Sequence, residues 1–212
     1  MDSTKKETAE NEQPRAHNAI SPIGARGSPV TPDIRLATKD DDMNSIVALI
    51  NEAYLWGETG IIVKPFDRVL IEEVVTLIEL SQLLLLLDAS SKMLLGCVKV
   101  QVLPNAIGEW GCLAVAQSQR QSGYGKILVS AAENHLVQMG CTTLQLELLA
   151  PSTFRHEHKE RLRRWYTERL GYKLKVADDY TGSTVSLSEG TLLLSRFVLQ
   201  TDADFTTYQR TV

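Results

Sequence analysis

The sequence predicts a layered α/β domain whose sheet contains an antiparallel meander. Three apolar segments follow one another between turn residues, which is the pattern of consecutive antiparallel strands. They comprise residues 83–87, 93–103 and 107–115. The flanking segments carry apolar residues at helical spacing, and residues 144–148 alternate apolar and polar side chains as a strand does. Helices and strands mixed in this order are typical of a layered α/β domain.

Composition limits the classes to which the chain can belong. Hydrophobic residues make up 43% of the 212 residues and charged residues 23%, which excludes a fully disordered, fibrous or membrane-embedded protein. The net charge of −4 argues against a nucleic-acid partner, although a local cationic patch still suits a small anion. The length corresponds to one domain with appendages.

The N-terminal segment differs from the rest of the chain. Residues 1–32 are polar, contain several Pro and Gly residues and lack periodicity, so we expect a disordered tail before a domain at residues 33–212. No secretory or transit signal is recognisable there, and we expect a cytoplasmic location, with the nucleus as an alternative. The longest leucine run, residues 83–87, is too short to cross a bilayer, so no membrane association is expected.

The domain is predicted to begin with a strand and two helices. The strand covers residues 34–37, and Thr38 with Asp41 resembles the capping signal of the first helix. This helix is expected to end near Gly57, and a second helix is expected from Asp67. The apolar stripe of the first helix consists of Ile46, Leu49, Ile50 and Ala53.

After the meander, two more helices alternate with strands. One helix follows Gly123 and ends at Gly140, a residue suited to a left-handed cap. The next covers residues 157–170 and ends at Gly171. Closing strands are predicted at residues 172–176 and 205–210, while residues 192–199 are too uniformly apolar to assign.

The most specific feature is a glycine-containing segment between a predicted strand and a predicted helix. It reads Arg120-Gln121-Ser122-Gly123-Tyr124-Gly125-Lys126. A helix N-terminus presents unpaired N–H groups and partial positive charge, so small residues there favour phosphate binding. A Walker A loop and a dinucleotide fingerprint do not fit, because Arg120 and Leu128 stand where these motifs need glycine. An ordinary turn that uses glycine for geometry is the alternative.

Arg120, Gly123 and Gly125 match the pattern Arg/Gln-x-x-Gly-x-Gly/Ala, and the sequence here resembles the GNAT superfamily of N-acetyltransferases. Residues 108–115 resemble the fourth strand of that family, and residues 146–172 its fifth strand and following helix. The resemblance covers about residues 33–212. It implies the acyl-CoA N-acyltransferase fold, a mixed, mostly antiparallel central sheet flanked by helices.

The resemblance also implies a co-substrate and its binding residues. Acetyl-CoA would bind where the fourth and fifth strands splay apart, with its pyrophosphate on the backbone N–H groups of residues 121–126. Leu113 and Val115 match the strand positions that contact the pantetheine arm. The implied cofactor-binding residues are Leu113, Val115, Arg120, Gln121, Ser122, Gly123, Tyr124, Gly125 and Lys126. No metal is implied.

Glu109 is the implied catalytic base. It matches a strand position at which many family members carry a carboxylate that accepts the amine proton. The alternative is a solvent-facing strand glutamate without a role in catalysis. Glu147, on the neighbouring predicted strand, is the reserve candidate.

Tyr166 is the implied acid for the departing thiolate, but its spacing departs from the family pattern. It stands five residues before Gly171, whereas the family usually has four. One extra residue rotates a helix face by about 100°, so we expect a π-bulge around residues 167–169 that leaves Tyr166 in place. Without such a bulge, Thr167 takes the position of the acid.

Several other side chains are candidates for lesser roles. Lys159 stands where many family members have an asparagine. Two roles are open for it: contact with a CoA phosphate, or a solvated position on its helix. His156 and His158 lack a nearby third ligand, so no metal site is expected. The three cysteines, Cys97, Cys112 and Cys141, lie among apolar residues and are expected to be reduced, buried thiols without a nucleophilic role. The guess for the acceptor pocket is Trp56, Glu58 and Glu72.

The resulting hypothesis is an N-acetyltransferase that moves an acetyl group from acetyl-CoA to a small-molecule amine or a protein amine. A non-catalytic acyl-CoA-binding module and an enzyme that uses a longer acyl-CoA remain alternatives. A homodimer is a further expectation from the resemblance.

Overall fold

The computed structural model describes residues 32–175 and 199–212. Most of the predicted tail and most of the unassigned 192–199 segment therefore lie outside the described residues. Pro32 is described and begins the first strand, one residue before the predicted domain boundary. In the described part of the chain, no helix has the length and apolarity needed to span a membrane.

The described elements follow the predicted order. The helices are α1 (Met43–Gly57), α2 (Ile71–Glu79), α3 (Tyr124–Gln138) and α4 (Glu157–Arg164), and α4 continues into a π-helix (Trp165–Arg169). The strands are β1 (Pro32–Leu36), β2 (Leu83–Asp88), β3 (Leu94–Leu103), β4 (Ile107–Val115), β5 (Thr143–Pro151), β6 (Lys173–Leu174) and β7 (Ala203–Thr211). A 3₁₀ turn (Gln117–Gln119) precedes α3.

The described strands form one seven-stranded sheet in the order β1-β2-β3-β4-β5-β7-β6. The predicted meander is confirmed, because β2, β3 and β4 pair antiparallel in sequence. The pairing of β4 with β5 is parallel and joins only residues 107–109 to residues 143–145. The predicted mixed, mostly antiparallel sheet flanked by helices is therefore confirmed.

Helices cover both faces of the sheet. All six residues of β2 are buried, as expected for a strand without a solvent-facing side. The α1–α2 side packs Ile46, Ile50 and Val74 against the sheet. On the α3 side, Gly96 and Gly108 permit close approach, because an added Cβ would come within 2.8 Å of a Leu128 carbon and 2.9 Å of Leu136 Cβ.

Two predicted helix starts are wrong. The N-cap of α1 is Asp42, whose side chain accepts from Asn44 and Ser45, not Thr38. Asp41 does accept from the Thr38 backbone, but it also pairs with Arg35 of β1 at 2.6 Å, which holds it outside the helix and lowers its pKa to about 2.

The second helix begins at Ile71, and not at Asp67 as predicted. Asn51 of α1 holds the preceding segment in an irregular conformation, since it accepts from the Val69 N–H at 2.9 Å and donates to the Val69 carbonyl at 3.1 Å. The Glu73 side chain then accepts from the Leu70 N–H at 2.7 Å, which satisfies one donor at the helix start.

Tyr172 joins the sheet to α3 through its hydroxyl group, which accepts from Trp110 Nε1 at 2.7 Å and donates to Glu133 Oε1 at 2.9 Å. Tyr172→Phe leaves the buried Trp110 N–H without an acceptor, so we expect the free energy of unfolding to fall by about 1–3 kcal/mol. Urea denaturation measures this as a lower midpoint at unchanged slope. In a Trp110→Phe background the same substitution should cost less, and an equal cost would refute the role of this hydrogen bond.

Candidate active site

A cavity opens where the pairing between β4 and β5 stops. The last paired residues are Glu109 and Gln145, and each strand continues for six residues beyond this point. The cavity has a volume of about 440 Å³, a size typical of small-molecule sites. Its wall includes residues 109–113 of β4, Leu146 and Glu147 of β5, and side chains from α2 and the π-helix.

A β-bulge shapes the β4 wall of this cavity. Lys99 pairs with Gly111 and Cys97 with Ala114, so β4 carries one extra residue opposite β3. Cys112 lies in the bulge with a φ of 45°, in the left-handed region that non-glycine residues rarely adopt. An added Cβ on Gly111 would meet nothing within 4 Å, so the fold does not require glycine there and the space belongs to the cavity.

Of the two predicted pantetheine contacts, Leu113 lies in the bulge and lines the cavity. Val115 lies outside the cavity wall, and its side chain is directed towards Gly96, where an added Cβ would lie 3.5 Å from Val115 Cγ2. No described strand pairs with the β5-facing edge of β4 beyond Glu109. An extended ligand can hydrogen-bond to such an edge as an added strand does.

The predicted base, Glu109, lies on the cavity wall where the pairing between β4 and β5 ends, in a row of polar side chains that crosses four strands. Its two carboxylate oxygens accept from Gln101 Nε2 at 2.9 Å and Gln145 Nε2 at 2.5 Å. Gln145 in turn accepts from Gln209 Nε2 at 2.8 Å. These residues occupy paired register positions, so the row is fixed by the sheet. A carboxylate oxygen accepts more than one hydrogen bond, so these contacts are compatible with a ligand at Glu109.

The π-helix places Tyr166 on the cavity wall. The one-residue excess predicted a bulge near residues 167–169, and the structure has a π-helix over Trp165–Arg169. The Leu170 N–H bonds to the Trp165 carbonyl at 3.1 Å, and Thr167 does not line the cavity. Burial, with a smaller contribution from Tyr208, raises the pKa of Tyr166, so its hydroxyl keeps its proton across the working pH range.

The predicted phosphate loop runs into the N-terminus of α3. Gly123 is the N-cap with a φ of 87°, and Gln121 also has a positive φ of 67°. Gly125 has an ordinary helical conformation, and an added Cβ would meet nothing closer than a Trp165 carbon at 3.9 Å. The positive φ of Gly123 therefore accounts for glycine at that position. Backbone conformation does not account for glycine at position 125, where the missing side chain leaves space for a ligand.

The structure narrows the set of backbone donors in this loop. The Lys126 N–H bonds to the Gly123 carbonyl at 3.0 Å, and the Ser122 N–H makes a long bond of 3.4 Å to the Gln119 carbonyl. The resemblance implies that backbone N–H groups of residues 121–126 hold the pyrophosphate, and the Lys126 N–H is already bonded within the chain. Within the described residues, no side chain caps this helix, so its remaining N-terminal donors are available to an anion.

Arg120 is held by aromatic stacking at the edge of this loop. Its guanidinium lies 4.5 Å from the centre of the Trp56 ring, and that ring also contacts His158, with centroids 4.4 Å apart. Burial and the nearby Lys159 lower the pKa of His158 to about 4, so this histidine is neutral near pH 7. Trp56 therefore orients Arg120 and is not part of the cavity wall.

Three buried charged side chains lie beside the cavity. Glu58 Oε1 is 3.5 Å from Lys159 Nζ and 3.8 Å from Arg68 Nη1, and the exposed fractions of these side chains are between 1% and 7%. The sequence suggested that Lys159 is either solvated or bound to a CoA phosphate. Both expectations are wrong, because Lys159 is buried and pairs with Glu58. Glu58 does not line the cavity, whereas Arg68 does.

Two other sequence-based expectations differ from the structure. Glu72 is exposed on α2, and Glu73 lines the cavity in its place. All three cysteines are free thiols, but only Cys97 and Cys141 are buried, while Cys112 is half-buried on the cavity wall. Sequence reasoning missed Arg68 completely, because a single arginine in an irregular segment carries no motif.

Comparison with known proteins places these features in a family. A model of the acetyltransferase (GNAT) family matches residues 48–172. Curated protein sequences give no match. PaiA N-acetyltransferase from Thermoplasma acidophilum, solved with coenzyme A, is similar over 86% of this chain and 99% of its own, with 16% identity and a TM-score of 0.58. A GNAT acetyltransferase from Staphylococcus aureus is similar over 85% and 99%, with 14% identity and a TM-score of 0.57.

A further similar structure is N-acetylglutamate synthase from Neisseria gonorrhoeae, solved with coenzyme A and N-acetyl-glutamate. The similarity covers 87% of this chain at 22% identity, with a TM-score of 0.58. It covers 36% of the synthase, so this chain spans about a third of the length of that protein. At these identities the likeness shows a common fold.

Gly123 and Gly140 offer a matched test of the loop. Both have a positive φ, 87° and 88°, and neither has an atom within 4 Å of an added Cβ. Replacing either by alanine should lower the free energy of unfolding by about 1–2 kcal/mol, because the left-handed conformation strains a side chain. Only Gly123→Ala should also weaken the binding of coenzyme A, by about tenfold or more, as measured by calorimetry. Equal affinities in the two variants would remove the loop from the binding site.

Proposed function

Because the chain belongs to the acetyltransferase (GNAT) family, we propose that it transfers an acetyl group from acetyl-CoA to a primary amine by direct attack in a ternary complex. One observation carries the proposal. Glu109 and Tyr166 both line the cavity that begins where β4 and β5 separate. A group able to accept a proton and a group able to donate one thus border the same space.

Acetyl-CoA would occupy the gap between β4 and β5. The β5-facing edge of β4 offers backbone groups to the pantetheine arm, and the N-terminus of α3 offers donors to the pyrophosphate. Arg120 and Lys126 add positive charge at this loop. Two similar structures, PaiA N-acetyltransferase and N-acetylglutamate synthase, were solved with coenzyme A, which supports an acyl-CoA as the co-substrate.

In the reaction, the amine nitrogen attacks the thioester carbonyl carbon, a carbon–nitrogen bond forms and the carbon–sulfur bond breaks. The proton lost by the amine passes to Glu109, directly or through water, and the departing thiolate takes a proton from Tyr166. The two amide donors, Gln101 and Gln145, fix the orientation of the Glu109 carboxylate. Binding both substrates in one cavity supplies the orientation on which direct attack depends.

The proton transfer from Tyr166 is uphill, because a phenol is a weaker acid than a thiol and burial raises the pKa of Tyr166 further. Donation is therefore concerted with thiolate departure and depends on the position of the hydroxyl. That position is set by ring contacts, with Trp110 at 5.7 Å and Tyr208 at 6.4 Å between ring centroids. The shifted spacing of Tyr166 favoured a non-catalytic module, and the π-helix over Trp165–Arg169 accommodates that shift, which supports the proposed catalytic role.

Release of thiol from acetyl-CoA, measured against amines, polyamines, amino acids and lysine peptides, tests the proposal. We expect turnover with at least one acceptor, and Tyr166→Phe should lower kcat by about 10²–10⁴ with little change in the affinity for acetyl-CoA. Tyr172→Phe is the matched control, because Tyr172 is buried at the end of the same helix and does not line the cavity. It should retain activity at a temperature at which it stays folded.

Glu109→Gln separates the two carboxylate candidates. We expect it to reduce kcat/KM for the amine near neutral pH, and the deficit should shrink as rising pH deprotonates the amine in solution. A larger loss in Glu147→Gln would assign the base to the reserve candidate instead. Binding of acetyl-CoA without turnover on any acceptor would contradict the proposed activity, and faster turnover of propionyl- or butyryl-CoA would contradict the acetyl specificity.

A further inference from the structure

Arg68 is a buried cation with too few partners. Its side chain is 7% exposed and lies over the Tyr54 ring, with the guanidinium carbon 4.6 Å from the ring centre. Within the described residues, its Nε and Nη1 atoms are buried without a hydrogen-bond partner. Such atoms are rare in folded proteins, because each costs the desolvation energy of a polar group without a compensating bond.

The neighbouring carboxylate does not satisfy this cation. Glu58 Oε1 is 3.8 Å from Arg68 Nη1, too far for a hydrogen bond, and the same oxygen is 3.5 Å from Lys159 Nζ. Two cationic side chains thus share one carboxylate. Although burial opposes its charge, Glu58, Tyr54 and Cys112 raise the pKa of Arg68, which remains cationic at every working pH. Arg68 is therefore short of hydrogen-bond acceptors, and within the described residues Glu58 Oε2 is likewise buried without a partner.

The position of Arg68 connects this shortage to the cavity. Arg68 lines the cavity together with Tyr54, Phe205 and Cys112, the residue at the β4 bulge. The same wall carries Glu109 at the closed end of the strand gap. The wall of one cavity therefore carries both a cationic side chain and a carboxylate.

We propose that Arg68 binds a carboxylate of the acceptor, so that the acceptor is an amino-acid-like zwitterion whose amine faces Glu109. The inference rests on the proposed function and narrows its acceptor. A guanidinium forms a paired, charge-assisted contact with a carboxylate, which a neutral amide of the same shape cannot replace. The 440 Å³ cavity suits a small molecule of this kind.

The test compares acceptors that differ only in charge. Glycine, L-leucine and L-phenylalanine are assayed beside glycinamide, L-leucinamide and L-phenylalaninamide, with rates calculated on the concentration of free amine. We expect kcat/KM to favour at least one acid over its amide by about 10- to 100-fold, the range of a charge-assisted hydrogen bond. O-phosphoethanolamine beside ethanolamine tests for phosphate, and a preference confined to that pair would overturn the carboxylate assignment.

Variants at Arg68 assign the preference to this side chain. Arg68→Gln should abolish this preference by lowering kcat/KM for the acids far more than for the amides, and Arg68→Lys should retain part of the preference. Glu58 keeps Lys159 as a partner in Arg68→Gln, so folding is expected to survive, and circular dichroism and the affinity for coenzyme A check this. Arg163→Gln is the matched control, because Arg163 is exposed and pairs with Glu160 on α4. An equal loss of kcat for acids and amides would mean that Arg68 acts on the acyl group, which would overturn the inference.

A binding experiment keeps the inference independent of turnover. Calorimetry in the presence of coenzyme A compares N-acetyl-L-leucine with N-acetyl-L-leucinamide, on the wild type and on Arg68→Gln. Tighter binding of the acid that disappears in the variant supports the inference even if no acceptor is turned over, in which case the proposed function alone fails. Turnover of acids and amides at equal rates with equal binding of the two products overturns the inference and leaves the proposed function intact.

Discussion

The separation of β4 from β5 is the constraint on which the rest of the site depends. β4 remains paired with β3, and β5 is paired with β7 along its full length, so neither strand can leave its own half of the sheet. Their mutual pairing ends at Glu109 and Gln145. Beyond that point the two halves diverge, and an edge of β4 backbone is left open inside the domain. An exposed strand edge is normally a liability in a folded protein, and here it lies where a ligand can cover it.

Tyr166 is positioned by both halves of the divided sheet. Its ring contacts Trp110 of β4 and Tyr208 of β7, with centroids 5.7 Å and 6.4 Å away. The π-helix turns the side chain towards this gap, and the Tyr166 carbonyl accepts from the Tyr172 N–H at 3.0 Å as the helix ends. π-Helical turns are energetically unfavourable and occur often at functional sites, which fits a residue whose position matters more than local stability.

Local sequence patterns predicted the helices and strands. The features that these patterns missed depend on contacts between residues that are distant in the sequence. The meander and the loop before α3 follow from apolar runs and a helix start, and the π-bulge follows from comparing the spacing of Tyr166 and Gly171 with the spacing usual in the family that the sequence resembles. The capping signal at Thr38 failed because Arg35 of β1 holds Asp41, so Asp42 caps the helix instead. The polar row that orients Glu109 needs the strand register, which places residues from four strands at one level. Arg68 needs the burial and charge of neighbours distant in sequence.

The central claim is that acetyl-CoA binds in the gap between β4 and β5 with its pyrophosphate at the start of α3. Hydrogen–deuterium exchange with and without acetyl-CoA tests this claim most directly, because it reports protection of individual backbone segments. The account predicts slower exchange in residues 111–115 of β4 and residues 121–125 of the loop. Unchanged exchange in both segments at saturating acetyl-CoA would contradict it.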